Sequence, residues 1–82
     1  MQAHKKIYLK HFDYGEQDYI PCEACQRSGS VDIHHIKYRS RGGDNSISNL
    51  MAVCRHCHDK AHNEELKEDY LQAIHNFILR YI

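Results

Sequence analysis

Cys22 and Cys25, followed by Cys54 and Cys57, form two Cys-x-x-Cys pairs, and four thiolates are the full ligand set of a closed tetrahedral zinc site. Such a centre has no open position for water or substrate, so it reads as structural. Four cysteines can also pair as disulfides, but two residues between partners suit a shared metal better. A second group of residues has different chemistry: His34 and His35 side by side, Asn49, and His58 and His62 four apart. His58 directly follows Cys57 and offers a competing zinc ligand, but adjacent residues serve one tetrahedral centre poorly, which leaves His58 for other work. The leftover histidines and Asn49 are what an open, catalytic metal site needs.

The elements that must position these groups can be read around them. Val31 to Ile36 is rich in β-branched residues and histidine and reads as a strand; Asn49 to Val53 reads as its returning partner. Between them, Arg39 to Ser48 has the Gly, Asn and Ser content of a mobile loop, making a hairpin with a long tip. On a helix after Cys54, His58 and His62 share one face, one turn apart. His34 and His35 on the strand, facing His58 and His62 on the helix, then make a bidentate or tridentate imidazole cradle. Adjacent residues on a regular strand point to opposite faces, so His34 and His35 do not both face one metal. Upstream, Lys5 to Phe12 reads as a short helix stopped by Asp13-Tyr14-Gly15, and Pro21 fixes the approach to the first cysteine pair. Downstream, Asn63 is expected to cap a packing helix over residues 64–81, with Glu64 and Glu65 in its first turn and an apolar stripe of Leu66, Tyr70, Leu71, Ile74, Phe77, Ile78 and Tyr81. The alternative use of that stripe is a dimer seam. The expected fold class is α+β: a β-hairpin plus helix stapled by structural zinc, with flanking helices.

At 82 residues the chain is expected to be one small domain, too short to be comfortably stable on an apolar core alone, so a metal staple is physically reasonable. It shows no secretory segment and no membrane-length apolar run, so the thiols are expected to be reduced and the protein cytoplasmic. Net charge is zero, but six basic residues against three acids lie between Arg27 and Lys60. That basic middle is a modest footprint for phosphate binding, set where the histidines are. Lys37, Arg39, Arg41 and Arg55 are candidates for backbone phosphate contacts, which position a duplex without reading its sequence.

Asp32-Ile33-His34-His35-Ile36, the Gly42-Gly43 loop, Asn49-Leu50, and Cys54-x-x-Cys57-His58 with His62 together resemble the HNH endonuclease family. Its ββα-metal finger is shared by bacterial nuclease toxins, phage nucleases and some restriction enzymes. The resemblance runs from about Cys22 to His62, roughly half of the chain. Carried over residue by residue, it implies His35 as general base and Asn49 as the residue that fixes the hairpin and the orientation of His35. It makes His34 and His58 ligands of a catalytic divalent metal, and His62 a third ligand found in some members.

The resemblance implies a metal-dependent DNA endonuclease, nicking or of low specificity, leaving 5′-phosphate and 3′-hydroxyl ends. The expected partners are DNA and no membrane, with the chain a monomer or weak homodimer. Imidazole ligands favour Zn2+, Ni2+ or Mn2+, while oxygen ligands from phosphate and water keep Mg2+ in play. By analogy such an enzyme suits a phage or mobile element in a bacterial host. Two other classes compete. A catalytically inactive zinc-dependent nucleic-acid-binding module needs the zinc and the basic residues but not His35 or Asn49. A structural zinc domain works through the apolar last helix.

Overall fold

In the computed structural model, residues 2–29 and 32–81 are described. Helix α1 (Ala3–Phe12) is followed by the first cysteine knuckle, strand β1 (Asp32–His35), strand β2 (Leu50–Val53), helix α2 (Arg55–His62) and helix α3 (Glu68–Tyr81). The two strands pair antiparallel, with Ile33 opposite Ala52 and His34 opposite Met51. This is the expected α+β hairpin plus helix with flanking helices. Val31, expected to open the first strand, lies outside the described residues, and Ile36 sits just beyond the strand, its N–H still bonded to the Asn49 carbonyl at 2.9 Å. No helix among the described residues is long and apolar enough to cross a membrane.

All four residues of β2 are buried, because the hairpin is covered on both faces. Met51 and Val53 pack with the knuckle, α2 and Leu71 of α3, whereas Leu50 and Ala52 pack with Tyr8 of α1. Side chains alternate along a strand, so β1 is divided in the same way. Ile33 joins the α1 side, and His34 turns toward α2. The two-sided burial of this short hairpin is what sends neighbouring histidines into different surroundings.

Three expectations need correction. The segment expected as a mobile loop contains two 3-10 turns, Arg39–Arg41 and Ile47–Asn49, and is tied down by side chains described below. Asn63 does not start a helix; it ends α2. Its N–H bonds to Asp59 O, Glu64 takes the left-handed conformation with φ 62°, and Glu65 N–H reaches back to Lys60 O at 2.9 Å. That wrapped C-terminus satisfies the last carbonyls of α2 and delays α3 to Glu68, with Glu68 and Asp69 in its first turn. The apolar stripe of α3 also splits. Leu71 is buried and Ile74 partly so, but Tyr70, Phe77 and Tyr81 are exposed, the last two in ring contact.

A polar group unforeseen in the sequence lies in this core. His75 is completely buried; its Nδ1 is 2.6 Å from Glu23 Oε1 and its Nε2 2.7 Å from the Ile47 carbonyl. Both ring nitrogens face acceptors, so both donate, and the ring is an imidazolium paired with a carboxylate. Glu23 Oε2 accepts from the Tyr8 hydroxyl and from Ala52 N–H. Burial lowers the His75 pKa, but the Glu23 hydrogen bond and charge outweigh it and hold the value above the ordinary one. One carboxylate thus joins α1, the knuckle, β2 and α3.

Candidate metal centres and active site

The first cysteine pair is shaped by its own backbone. Cys22 N–H bonds to Ser28 O and Gln26 N–H to Cys22 O, both at 2.9 Å, with Gln26 left-handed at φ 60°. Cys54 supplies the second pair's first sulfur and also precedes α2, accepting from Cys57 N–H. All four thiols are free, and their sulfurs converge within 4.8 Å of one another. The Cys25 and Cys54 sulfurs are 3.9 Å apart. Sulfurs bound to one tetrahedral zinc at ~2.3 Å stand roughly 3.8 Å apart, so the cluster fits that ion. Electrostatics agree. The Arg27 N–H lowers the Cys25 thiol to about 6, while burial and the neighbouring sulfurs push Cys57 up. Four crowded sulfurs resist joint ionisation unless a cation sits among them. The four-cysteine cluster fits a structural zinc.

The second cluster is His34, His58 and His62, each offering one ring nitrogen within 4.8 Å of the others. His58 Nε2 and His62 Nε2 are 3.0 Å apart, near the roughly 3.3 Å expected for two imidazoles on one tetrahedral ion. Their other nitrogens have polar neighbours. His58 Nδ1 lies 3.1 Å from Asp32 Oδ2, both atoms sealed from solvent, and His62 Nδ1 lies 3.3 Å from the Tyr38 hydroxyl. A proton on His58 Nδ1 gives Asp32 its partner and leaves the Nε2 lone pair free, the arrangement usual for metal-bound histidine. Burial, together with the charges of His58 and His62, lowers His34 to about 4, so its ring is neutral and able to ligate at neutral pH. The donor set fits a divalent cation of the borderline class.

His35 is on the other side of β1. Its Nε2 lies 2.8 Å from Asn45 Oδ1, and its ring meets His4 of α1 with centroids 4.6 Å apart. Burial, with His35 and Arg39 nearby, holds the His4 pKa below its ordinary value. His35 still shares a hollow of about 190 Å³ with His34, His58 and His62, walled by Ile33, Tyr38 and Arg39.

Asn49 is buried and serves the loop backbone rather than the His35 ring. Its Oδ1 accepts from Lys37 N–H at 2.7 Å, and its Nδ2 donates to Lys37 O and Asp44 O. It fixes the chain next to Asn45, the residue that contacts His35. The basic candidates divide. Arg39 lines the hollow and Lys37 is exposed, whereas Arg55 lies 3.5 Å from Asp32 and Arg41 lies 3.9 Å from Glu68. Sequence reasoning passed over Asp32, Tyr38, Asn45 and His4. Asp32 had a signal, since it stands two residues before His34 and so on the same strand face; the others sit far along the chain from what they touch.

Comparison with known proteins agrees with this geometry. Residues 22–64 match the family described as HNH endonuclease. The chain is also 40% identical over 57 residues, 68% of its length and 70% of the relative's, to a protein named Anaredoxin from Nostoc sp. (strain PCC 7120 / SAG 25.82 / UTEX 2576). No solved structure matches the chain. The matched segment begins at the first cysteine of the cluster and ends just past His62, so it holds both candidate metal-ligand clusters and the hairpin that carries His35: the chain belongs to the HNH endonuclease family.

Proposed function

We propose that this chain is a metal-dependent DNA endonuclease that hydrolyses phosphodiester bonds, with His35 as general base and His34, His58 and His62 holding a divalent metal. The observation that carries this reading is one hollow into which β1 delivers both kinds of histidine, three converging on a common point and one held apart from them. When bound, the metal supplies positive charge to a phosphate oxygen and to the leaving oxygen.

The chain's own residues do the rest. His35 is kept off the metal by strand alternation, so the lone pair of its neutral ring remains available to take a proton from water. Asp32 and Tyr38 orient the His58 and His62 rings. Arg39, at the wall of the hollow, and exposed Lys37 are free to meet the phosphates flanking the one attacked. Arg41 and Arg55 contribute more weakly, because each has an acidic neighbour to leave. The site contains one such centre, so a monomer cuts one strand per encounter, and Mg2+, Mn2+, Ni2+ or Zn2+ are the ions to supply.

The test is cleavage of a labelled duplex, followed by analysis of the ends. Products that DNA ligase reseals without end repair carry the 5′-phosphate and 3′-hydroxyl this mechanism leaves. Products that resist ligation until treated with a 3′-phosphatase contradict it.

A further inference from the structure

Two contacts on His35 lie outside the metal cluster and outside the roles given above. Asn45 Oδ1 faces Nε2 at 2.8 Å, and the His4 ring lies against the His35 ring at 4.6 Å with 54° between their planes. A carboxamide oxygen only accepts, so the nitrogen facing it must carry the proton. The neutral ring is therefore the Nε2–H form, and its lone pair is on Nδ1. A tilted ring at this distance is within the range of aromatic pairing and limits rotation of His35 about its own axis. His4 belongs to α1, well before the residues that match the family.

We propose that Asn45 and His4 are positioning residues for His35, together fixing its tautomer and ring plane so that Nδ1 is the nitrogen that takes the proton from water. This rests on the reading of His35 as general base. The support for Asn45 is built in. Asn49 Nδ2 holds the Asp44 carbonyl at 2.9 Å, and the Asp44 carboxylate accepts from Ser46 N–H and Ser46 Oγ. The peptide that carries Asn45 is thus fixed from both sides, so its side chain can hold a ring in place. This is also the route by which Asn49, which does not touch His35, governs it.

The experiment combines two readouts on the zinc-loaded full chain. Long-range 1H–15N correlation spectra at about pH 8, above the ordinary imidazole pKa, identify which His35 nitrogen bears the proton. Nε2–H is expected in the wild type and in Asn45→Asp, whose carboxylate still accepts, and a mixed or reversed tautomer in Asn45→Ala. Cleavage kinetics give the second. Misplacement of a reacting group by about 1 Å can cost 10²-fold. Asn45→Ala and His4→Ala are expected to lower kcat by roughly 10- to 100-fold with KM nearly unchanged, with activity recovered in Asn45→Asp and in His4→Phe, which keeps a ring. An Nδ1–H wild type, or a tautomer unmoved by Asn45→Ala, overturns the proposal, as does full kcat in both alanine variants. The spectra do not depend on activity. A chain that shows the expected tautomers but cuts nothing removes the nuclease reading and leaves the clamp on His35 standing.

Discussion

His34 and His35 are neighbours with opposite surroundings, and strand alternation alone accounts for it. His34 meets α2 and its two histidines; His35 meets α1 and the loop. Asp32, on the same face as His34, lies 3.1 Å from His58 Nδ1, a position from which its carboxylate can orient the ring with Nε2 toward the shared point. Removing such an outer partner typically weakens metal affinity by about 10- to 100-fold. Asp32→Ala is therefore expected to lose that much Ni2+ or Co2+ affinity at the three-histidine cluster, in calorimetric titration of zinc-loaded protein, with the fold retained by circular dichroism. Unchanged affinity would show that Asp32 does not orient the ligand. At this scale the sequence was informative where spacing is local. Two Cys-x-x-Cys pairs and a His-x-x-x-His need no tertiary knowledge to be read as ligand sets. Asn45 and His4 reach His35 from a loop and from another helix, and no local spacing marks either one.

The hairpin tip shows how an element places the site. Gly43 donates its N–H to Tyr38 O at 2.9 Å, and a Cβ on it would lie 1.8 Å from the Lys37 carbonyl oxygen. That carbonyl also accepts from Asn49, so neither partner can yield without freeing the loop. Gly43→Ala is expected to displace the loop and cut cleavage by at least about 10²-fold, on the same geometric argument that applies to any misplaced reacting group, while zinc content by metal analysis stays at one ion per chain. Helix α3 is anchored differently, by the imidazolium of His75 on Glu23. Because the folded His75 pKa is raised, its contribution is full below the unfolded value near ~6.5 and is lost as pH rises through the folded value. Breaking a buried pair by removing one partner costs about 3–5 kcal/mol. His75→Gln is expected to be destabilised by that order at pH 6, with the gap narrowing toward alkaline pH in urea unfolding at fixed zinc; a gap that widens would contradict the charge assignment. The His75–Glu23 pair was not legible beforehand. Glu23 and His75 are far apart in the chain, and each alone looks like an ordinary surface residue. The start of α3 was misread for a related reason: Asn63-Glu64-Glu65 has the composition of a helix opening, but the Asp59, Ala61 and Lys60 carbonyls respectively claim their N–H groups to close α2.

For the molecule as a whole, two small apolar clusters lie one on each face of the hairpin; the four cysteines sit within one of them, and the buried Glu23 carboxylate ties the other to α3. A chain of this size has a small core, so zinc at the four cysteines is expected to carry a large part of the folding free energy. Cys54→Ser, which keeps a side-chain acceptor at the start of α2 but removes one thiolate ligand, is expected to abolish the cooperative thermal transition, and chelation of the wild type to do the same; a cooperative transition without zinc would contradict the staple. The overall architecture was legible because two cysteine pairs, a hairpin pattern and a histidine pair on a helix leave few ways to close so short a chain. The central claim is that the second metal cluster and His35 together cut DNA. Its most direct test is nicking of supercoiled plasmid by zinc-loaded wild type and by His35→Ala, with Mg2+, Mn2+, Ni2+ or Zn2+ added separately. The account predicts metal-dependent nicking by the wild type, a loss of at least about 10²-fold in His35→Ala as for removal of a general base, and unchanged zinc content and DNA binding in the variant. Equal nicking by both proteins, or DNA binding with no cleavage under any of the four ions, would contradict it.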